Sequence, residues 1–357
     1  AECATTVQPD TSDAIDLIEV AYDLEKPDSE WLSDLMDAAA PIMDAGLGMF
    51  GFTFVRPEGA GGRDAVIGDM KLRSLPGDFL ERLTVASRAL SPEFVRAVTP
   101  PGYAGTWSEI SKDHPEEFKA LVDALGYVDL FGVTAIDPDG VGVDVSVPLP
   151  EPLQLNAKAR FRWQMLGAHI ASAYRLRRAL AGSEEGSRDE SNELPRAAEA
   201  VLDANGFRIV EATGRAKDPS AAEVLRRAAR RIDKARGPMR VDDPNKALDT
   251  WKALVRGRWT VVDWFDTDGR RFVLAKPNPP RVFDPRGLNE QECQVVTYVL
   301  LGDSNKLIAY RLGLSQGRVS VLLRSAMHKL GVKNRAQLVQ KLSPLGVPNM
   351  TNGELVA

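Results

Sequence analysis

Hydrogen-bonding and cationic side chains recur along one side of a helix that the sequence predicts over residues 316–330. The opposite side repeats apolar residues at helical spacing from Val319 to Leu330, which predicts a core-facing stripe. The outward side has no acidic residue and consists of Gln316, Gly317, Arg318, Ser320, Val321, Arg324, Ser325 and His328. Amide, hydroxyl and guanidinium groups bind base edges and phosphates, so this face suits the major groove of DNA.

Helix-capping signals predict the elements that hold this face in place. Asn289 and Glu292 have the spacing of a capping box at the start of a first helix. Three further helices each follow a capping residue: Ser304, Ser315 and Asn334. Gly313 supplies the tight turn between the second and third helices, because glycine adopts positive φ readily. The segment therefore predicts a four-helix domain with a helix-turn-helix inside it.

The run over residues 288–339 resembles the LuxR-type helix-turn-helix family, which includes FixJ- and GerE-like regulators. The matching pieces are Gly302, Ser304-Asn305-Lys306, Ile308-Ala309, Arg311-Leu312, Val319, Lys329-Leu330-Gly331-Val332 and Asn334-Arg335. The resemblance implies sequence-specific binding of double-stranded DNA, with Lys306 and Arg335 on phosphates. The candidate DNA contacts are Lys306, Ser315, Gln316, Arg318, Ser320, Val321, Arg324, Lys329 and Arg335.

Three positions depart from the family pattern. Arg318 stands where the family has threonine, Ser320 where it has lysine, and Leu322 where it has histidine. We therefore expect phosphate anchoring to shift to Arg318 and Arg324, and the operator sequence cannot be taken from relatives.

Charge is distributed unevenly along the chain. Of its 357 residues, 45 are Lys or Arg and 50 are Asp or Glu, so the formal net charge is −5. Residues 284–344 hold nine basic and four acidic residues, which gives this segment +5 and the rest −10. A basic module on an acidic body can hold phosphates without coating DNA indiscriminately.

Composition argues against several classes of protein. No stretch approaches the ~20 apolar residues of a membrane span, and the N-terminus lacks the basic and apolar regions of a signal peptide. Two cysteines cannot build a disulfide framework, and the three histidines are not spaced as metal ligands. We expect a cytoplasmic protein that is not an enzyme, has no cofactor and has no membrane partner.

Two segments predict linkers and divide the chain into three pieces. Residues 181–193 are charged and nearly free of large apolar side chains, and residues 276–287 contain four prolines. The predicted fold class is α+β with several domains. The pieces are a GAF-like α/β sensory and dimerisation domain over 12–180, a smaller PAS-like α+β domain over 194–275, and the all-α LuxR-type domain over 284–345.

Periodicity and turn signals predict the elements of the first two pieces. The helices are expected over 12–25, 28–45, 77–90, 115–125, 156–180, 220–236 and 243–259. The strands are expected over 47–56, 65–73, 128–137, 141–149 and within 200–213 and 260–276. Turns are expected at Gly59, Gly61 and Gly62, at Pro138-Asp139-Gly140, at Asn205-Gly206 and at Asp268-Gly269.

Aromatic residues in the first piece have two interpretations, a pocket lining or a core. The speculative contacts of an unidentified small-molecule ligand are Phe52, Tyr103, Trp107 and Phe131. The chain has no phosphate-binding loop of an ATPase. It also lacks the Trp-x-x-x-Tyr pattern of acyl-homoserine-lactone-binding relatives, and the paired acids, Thr and Lys of a phosphorylation receiver.

Three further features remain open at the level of sequence. The stripe of helix 156–180 is either a dimer seam or a face that covers its own sheet: Trp163, Leu166, Ile170, Ala173 and Leu180. The basic residues of helix 220–236 predict a solvated or docked face, with a second DNA contact as the alternative. Cys293 is expected at an exposed position of the first helical turn.

The expected partners follow from the predicted helix-turn-helix domain. One such domain covers a short half-site, so a homodimer is expected. The rival hypothesis is a sensory adaptor whose helical tail binds protein, such as RNA polymerase, rather than DNA.

Overall fold

A computed structural model describes residues 11–56, 66–91, 93–94, 102–186, 197–282 and 287–342. The fold class predicted from the sequence is confirmed, because helices and two antiparallel sheets precede a C-terminal helical domain. The hairpin expected at Gly59, Gly61 and Gly62 lies outside the described residues.

The first sheet has five antiparallel strands in the order β2-β1-β5-β4-β3. Its strands are β1 (Met49–Val55), β2 (Val66–Arg73), β3 (Ala104–Thr106), β4 (Asp129–Ile136) and β5 (Val141–Leu149). The helices around it are α1 (Thr11–Ala21), α2 (Asp28–Met43), α3 (Phe79–Arg88), α4 (Trp107–Ile110), α5 (Pro115–Leu125) and α6 (Ala157–Gly186). Gly140, at φ +80°, closes the β4–β5 hairpin where the sequence predicts a turn.

Alternation along the strands sends side chains to two separate cores. Phe131 and its neighbours on one face pack against α1, α2 and α6. Phe50 and Leu130 on the other face pack against Phe79 of α3 and Leu121 of α5. Both faces of the sheet are therefore covered by helices.

The second sheet has four antiparallel strands in the order β7-β6-β9-β8. The elements of this region are β6 (Ala200–Asp203), β7 (Ile209–Ala212), α7 (Pro219–Arg236), α8 (Pro238–Asp242), α9 (Pro244–Thr250), β8 (Trp259–Phe265) and β9 (Arg271–Pro277). Leu225 and Ile232 of α7 share one hydrophobic cluster with Trp163 of α6. The two sheets thus belong to one continuous packed body.

Helix 243–259, predicted from periodicity, is wrong beyond Thr250. Arg256 and Gly257 have positive φ of +53° and +67°, which a helix does not permit. The backbone N–H of Gly257 instead donates to the carbonyl of Leu312, at 2.6 Å. Residues 251–258, which we call the strap, lie against the C-terminal domain.

The predicted linker over 276–287 begins inside β9 and stays packed through Asn278. The Asn278 amide accepts a hydrogen bond from Arg175 Nε at 2.9 Å and donates to Ser172 O and Thr260 Oγ1. A buried asparagine with three partners cannot serve as a flexible joint. At the other predicted linker, α6 continues to Gly186, six residues beyond its expected end.

The apolar stripe of α6 is buried inside its own chain. Trp163, Leu166, Ile170 and Ala173 are all 4% exposed or less, and Leu180 is half-buried against a separate cluster that contains Leu176. Helix α6 covers β3, β4 and β5 and contacts α1. The four fully buried residues are therefore not available for a dimer seam, and the helix covers its own sheet.

Candidate nucleic-acid interface

The C-terminal domain consists of four short helices around one apolar core. They are α10 (Glu290–Leu300), α11 (Asn305–Leu312), α12 (Gln316–Lys329) and α13 (Arg335–Leu342). Apolar residues of these helices, with Leu330 directly after α12, form a single cluster: Val295, Val296, Val299, Ile308, Ala309, Leu312, Val319, Leu322, Leu323, Ala326, Leu330, Leu338, Val339 and Leu342.

The capping box predicted at Asn289 anchors α10 and also holds α12. Asn289 Oδ1 accepts from the Glu292 N–H, and Glu292 Oε2 accepts from the Asn289 N–H, both at 2.9 Å. Glu292 also accepts from Ser325 Oγ and Lys329 Nζ of α12 at 2.7 Å. Burial alone would raise the pKa of Glu292, but these bonds from Lys329, Asn289 and Ser325 lower it. One carboxylate thus fixes the orientation of α12 against α10.

The turn between α11 and α12 has the predicted conformation. Gly313 lies at φ +61°, and Ser315 Oγ caps α12 by accepting from the Arg318 N–H at 3.1 Å. Because Ser315 is the N-cap, its hydroxyl is already bonded within the helix terminus. The amide groups of this terminus point outward and favour anions.

The outward face of α12 is open to solvent. Gln316, Arg318, Val321, Arg324 and His328 are exposed, and none of them is acidic. Arg324 makes no hydrogen bond or ion pair with a described residue. Arg318 donates to Gln291 Oε1 at 3.0 Å, which directs its guanidinium toward the start of α10.

Several predicted DNA contacts have partners inside the protein. Lys329 forms its ion pair with Glu292, and Ser320 Oγ donates to the Gln316 carbonyl. Arg335 donates to the carbonyl oxygens of Val299 and Asp303, at 3.4 and 2.5 Å. Arg335 therefore ties the end of α10 to the start of α11, whereas its predicted role on phosphate remains a prediction.

Lys306 is exposed at the start of α11, as a phosphate contact would be, but it also touches the N-terminal region. Its ammonium lies 3.9 Å from the ring centroid of Phe161 on α6. Four residues later, Tyr310 is 2% exposed. Its hydroxyl lies 2.8 Å from His169 Nε2 and donates to Leu248 O at 3.0 Å. Helix α11 is therefore docked on the body that contains both sheets.

No pattern in the sequence indicated this docking. Tyr310 occupies a polar-side position of α11, and its partners His169 and Leu248 are more than sixty residues distant. The Tyr22 hydroxyl completes the contact at 3.2 Å from His169 Nδ1. Only the folded chain brings α1, α6 and α11 to one point.

Cys293 is buried, so the expectation of an exposed first-turn thiol is wrong. Helix α10 is covered on two sides at this turn. Glu292 contacts α12, and Gln294 Nε2 donates to the Gly257 carbonyl of the strap at 3.0 Å. The strap is the element that sequence reasoning interpreted as helix.

The speculative ligand residues fall on different sides of the five-stranded sheet. Phe52 and Trp107 are half-buried and pack together with the α3–α5 core. Phe131 is fully buried on the opposite face, with its ring centroid 5.2 Å from that of Trp163. Tyr103 lies at the β3 edge, where its hydroxyl donates to Thr106 O. The four side chains therefore do not line one common cavity.

A buried polar cluster shares the face of Phe52 and Trp107, and the sequence did not indicate it. Asp144 pairs across the sheet with Phe52 and Thr134. Its carboxylate accepts from Thr134 Oγ1 at 2.7 Å and from Ser146 Oγ at 2.6 Å. Burial raises the pKa of Asp144 despite these two bonds.

The described residues contain no group of three or more His, Cys, Asp or Glu side chains placed to hold a metal ion. No helix among them combines the length and apolar character needed to cross a bilayer.

Comparison with known proteins identifies the C-terminal domain. Residues 286–342 match the family described as bacterial regulatory proteins, luxR family. No curated protein sequence matches the chain. A crystal structure of Escherichia coli SdiA is similar over 90% of this chain and 92% of that one, at 10% identity and a TM-score of 0.30.

Proposed function

We propose that this chain, whose residues 286–342 are a LuxR-family helix-turn-helix domain, regulates transcription by binding specific DNA sequences. The observation that carries the proposal is the outward face of α12. That face is exposed, free of acids, and held by a scaffold in which Glu292 bonds both Ser325 and Lys329. A rigidly held helix with such a face fits the major groove.

The proposed contacts divide into two chemical classes. Gln316 and Arg324 are exposed on the outward face of α12 and are the proposed base contacts, which for Arg324 replaces the phosphate role expected from sequence. Lys306, Arg318 and the N–H groups at the start of α12 are the proposed phosphate contacts. Arg318 replaces the family's threonine, so its longer side chain reaches phosphate from a position nearer to α10.

We infer that the N-terminal region senses a signal. The predicted GAF-like piece over 12–180 contains the polar cluster of Asp144, Thr134 and Ser146 beside Phe52 and Trp107. Apolar walls with a few fixed polar groups are typical of small-molecule sites. The predicted PAS-like piece over 194–275 contains the strap, which links this body to the DNA-binding domain.

Homodimer formation and a cytoplasmic location complete the proposal. A dimer follows from the short half-site that one domain reads, and the cytoplasm follows from the absence of a disulfide framework. No specific observation favours the rival hypothesis, in which the helical tail binds RNA polymerase or another protein in place of DNA.

Fluorescence anisotropy with the full chain and a labelled DNA duplex tests the proposal. We expect binding whose log K falls linearly with log salt concentration, because phosphate contacts release counterions. If the full chain binds the duplex to no measurable extent even at low salt, the proposed function is contradicted. Lys119→Ala is the control for net charge, because Lys119 is an exposed residue of α5 that pairs with Asp123.

A further inference from the structure

A cleft of about 670 Å³ lies between α7, the strap and the start of α12. Five cationic side chains line it, and no acidic residue of the described chain does: Arg227, Arg231, Lys252, Arg256 and Arg318. One of the five, Arg318, belongs to α12, while the other four belong to the region of the second sheet. The cleft is therefore a cationic surface shared between the two parts of the molecule.

Two of the basic residues on α7 face the cleft, and two others on the same helix do not. Arg227 and Arg231, one helical turn apart, face the cleft together with Val224 and Ala228. Arg226 and Arg230, also one turn apart, face elsewhere: Arg226 pairs with Glu223, and Arg230 donates to Gly206 O. Glu223 also pairs with Arg227, at 3.3 Å, in an exposed contact that solvent weakens.

Like charges within this surface destabilise one another. Desolvation, together with nearby Arg231 and Lys306, lowers the pKa of Lys252, and exposed Asp249 only partly offsets them. The Lys252 ammonium also lies 4.4 Å from the ring centroid of Tyr310. Lys252 is half-buried and the other four cations are exposed, and cations that lie close together gain stability when an anion enters between them.

The strap holds this surface next to the DNA-facing helix. Gly313, which precedes the cap of α12, packs against Leu254 so closely that a Cβ there would overlap the Leu254 carbonyl. Gly257 bonds Leu312 and Gln294 on neighbouring helices. The cleft therefore opens beside Ser315 and Arg318 at the N-terminus of α12, where anions are favoured.

We propose that this cleft binds the sugar-phosphate backbone of the DNA that α12 reads, so that α7 and the strap extend the DNA interface beyond the helix-turn-helix domain. This inference rests on the proposed function. Arg227, Arg231 and Arg256 supply sequence-independent phosphate contacts in addition to that of Arg318. The body that contains the two sheets thereby contributes directly to DNA affinity.

The test compares two double variants of the full chain on one helix. Arg227→Ala/Arg231→Ala removes the cleft pair, and Arg226→Ala/Arg230→Ala removes the same charge at the same spacing on the other side. With a labelled duplex of mixed sequence, we expect the cleft variant to reduce the salt slope by about 1.8, that is ~0.9 per lost phosphate contact. The same relation gives a loss of roughly 60-fold in affinity at ~0.1 M salt, for equal affinities at ~1 M. For the control variant, we expect both the salt slope and the affinity to stay close to the wild-type values.

The outcomes separate this inference from the proposed function. If wild-type protein binds DNA and both variants behave alike, the cleft proposal is overturned while the proposed function stands. If wild-type protein does not bind DNA, the proposed function itself fails. Arg227→Lys/Arg231→Lys should restore most of the slope, because lysine also contacts phosphate as a point charge.

A small phosphorylated molecule is the other source of the same ligand chemistry. Thermal unfolding with added pyrophosphate distinguishes it. If pyrophosphate at low millimolar concentration stabilises wild-type protein but not the cleft variant, and the salt slope on DNA is unchanged, the cleft is a small-anion site and the DNA assignment is wrong. We expect the slope to change and pyrophosphate to act only as a weak competitor of DNA.

Discussion

His169 Nε2 of α6 and the Tyr310 hydroxyl of α11 lie 2.8 Å apart in a fully buried contact. The ring of His169 also has the Trp251 carbonyl 3.1 Å from Nε2 and the Tyr22 hydroxyl 3.2 Å from Nδ1. We assign a neutral ring that donates from Nε2 and accepts at Nδ1, since this tautomer satisfies both sides. The C-terminal domain is thus joined to the body of the protein by directional bonds as well as by apolar packing.

Tyr310→Phe should loosen this joint without creating a cavity. The change leaves the Leu248 carbonyl without its tyrosine donor and removes the oxygen beside His169, which costs about 1–3 kcal/mol for buried groups. Hydrogen exchange of the α11 amides should accelerate, and urea unfolding should show the loss. Tyr127→Phe, in the half-buried part of the α3–α5 core, is the matched control. Equal exchange in both variants would contradict the role of the Tyr310 hydroxyl.

The pH dependence of the free energy of unfolding should reflect the protonation of His169. Burial lowers the pKa of His169 from 6.5 to about 3, with the Trp251 carbonyl opposing this effect and Lys252 adding to it. Between these two values the unfolded chain binds a proton that the folded chain excludes. Stability is therefore complete above about pH 6.5 and falls as the pH decreases, by about 1.4 kcal/mol per unit for this group.

His169→Gln removes this titration and isolates it from other groups. Between about pH 6.5 and 4, the free energy of unfolding of the variant should decline less steeply than that of the wild type. His328→Gln, at an exposed position of α12, should keep the wild-type slope. Identical slopes for wild type and His169→Gln would show that His169 does not control acid sensitivity.

Gly313→Ala should weaken the contact between the strap and the C-terminal domain more than it disturbs the turn between α11 and α12. At φ +61° any side chain is strained by about 1 kcal/mol, and here the new Cβ would also overlap the Leu254 carbonyl. Gly331 has a similar φ of +67° but open space around it, so Gly331→Ala measures the strain alone. Limited proteolysis should cleave the strap faster in Gly313→Ala than in Gly331→Ala. Equal cleavage would mean that the strap contact does not depend on this close approach.

Lys306→Ala and Arg324→Ala should affect DNA binding in different ways. Loss of a phosphate contact at Lys306 should weaken binding to all sequences alike and reduce the salt slope by about 0.9. Loss of a base contact at Arg324 should cost about 1–3 kcal/mol on the preferred sequence and much less on others. Anisotropy on a selected operator and a scrambled duplex measures both effects. A sequence-independent loss for Arg324→Ala would reassign it to the phosphate class.

Local signals made the C-terminal domain predictable from sequence. The capping box of Asn289 and Glu292 and the positive φ of Gly313 depend on residues within three positions of each other, so the sequence alone predicts them. The inward stripe of α12 follows from periodicity in the same way.

Tertiary contacts explain where the predictions failed. Residues 251–258 have a helical pattern but are not helical: Gly257, at positive φ, donates to the Leu312 carbonyl, and Leu254 packs against Gly313. Cys293 is buried in the first turn of α10, next to Gln294, whose side chain bonds the strap. Periodicity showed that α6 has an apolar face but could not show that its own sheet covers it. The cationic cleft was missed because Lys252 and Arg318 meet only in the folded chain.

The line of contacts from Tyr22 through His169 to Tyr310 has a thermodynamic consequence. Suppose a molecule binds the N-terminal body more tightly when α11 is docked than when it is released. Linkage then requires reciprocity: the factor by which that molecule changes the affinity for DNA equals the factor by which DNA changes the affinity for the molecule. Each tenfold factor corresponds to about 1.4 kcal/mol of coupling, which is comparable to one buried hydrogen bond in this line. Operator DNA itself would then act as an effector of the sensory region.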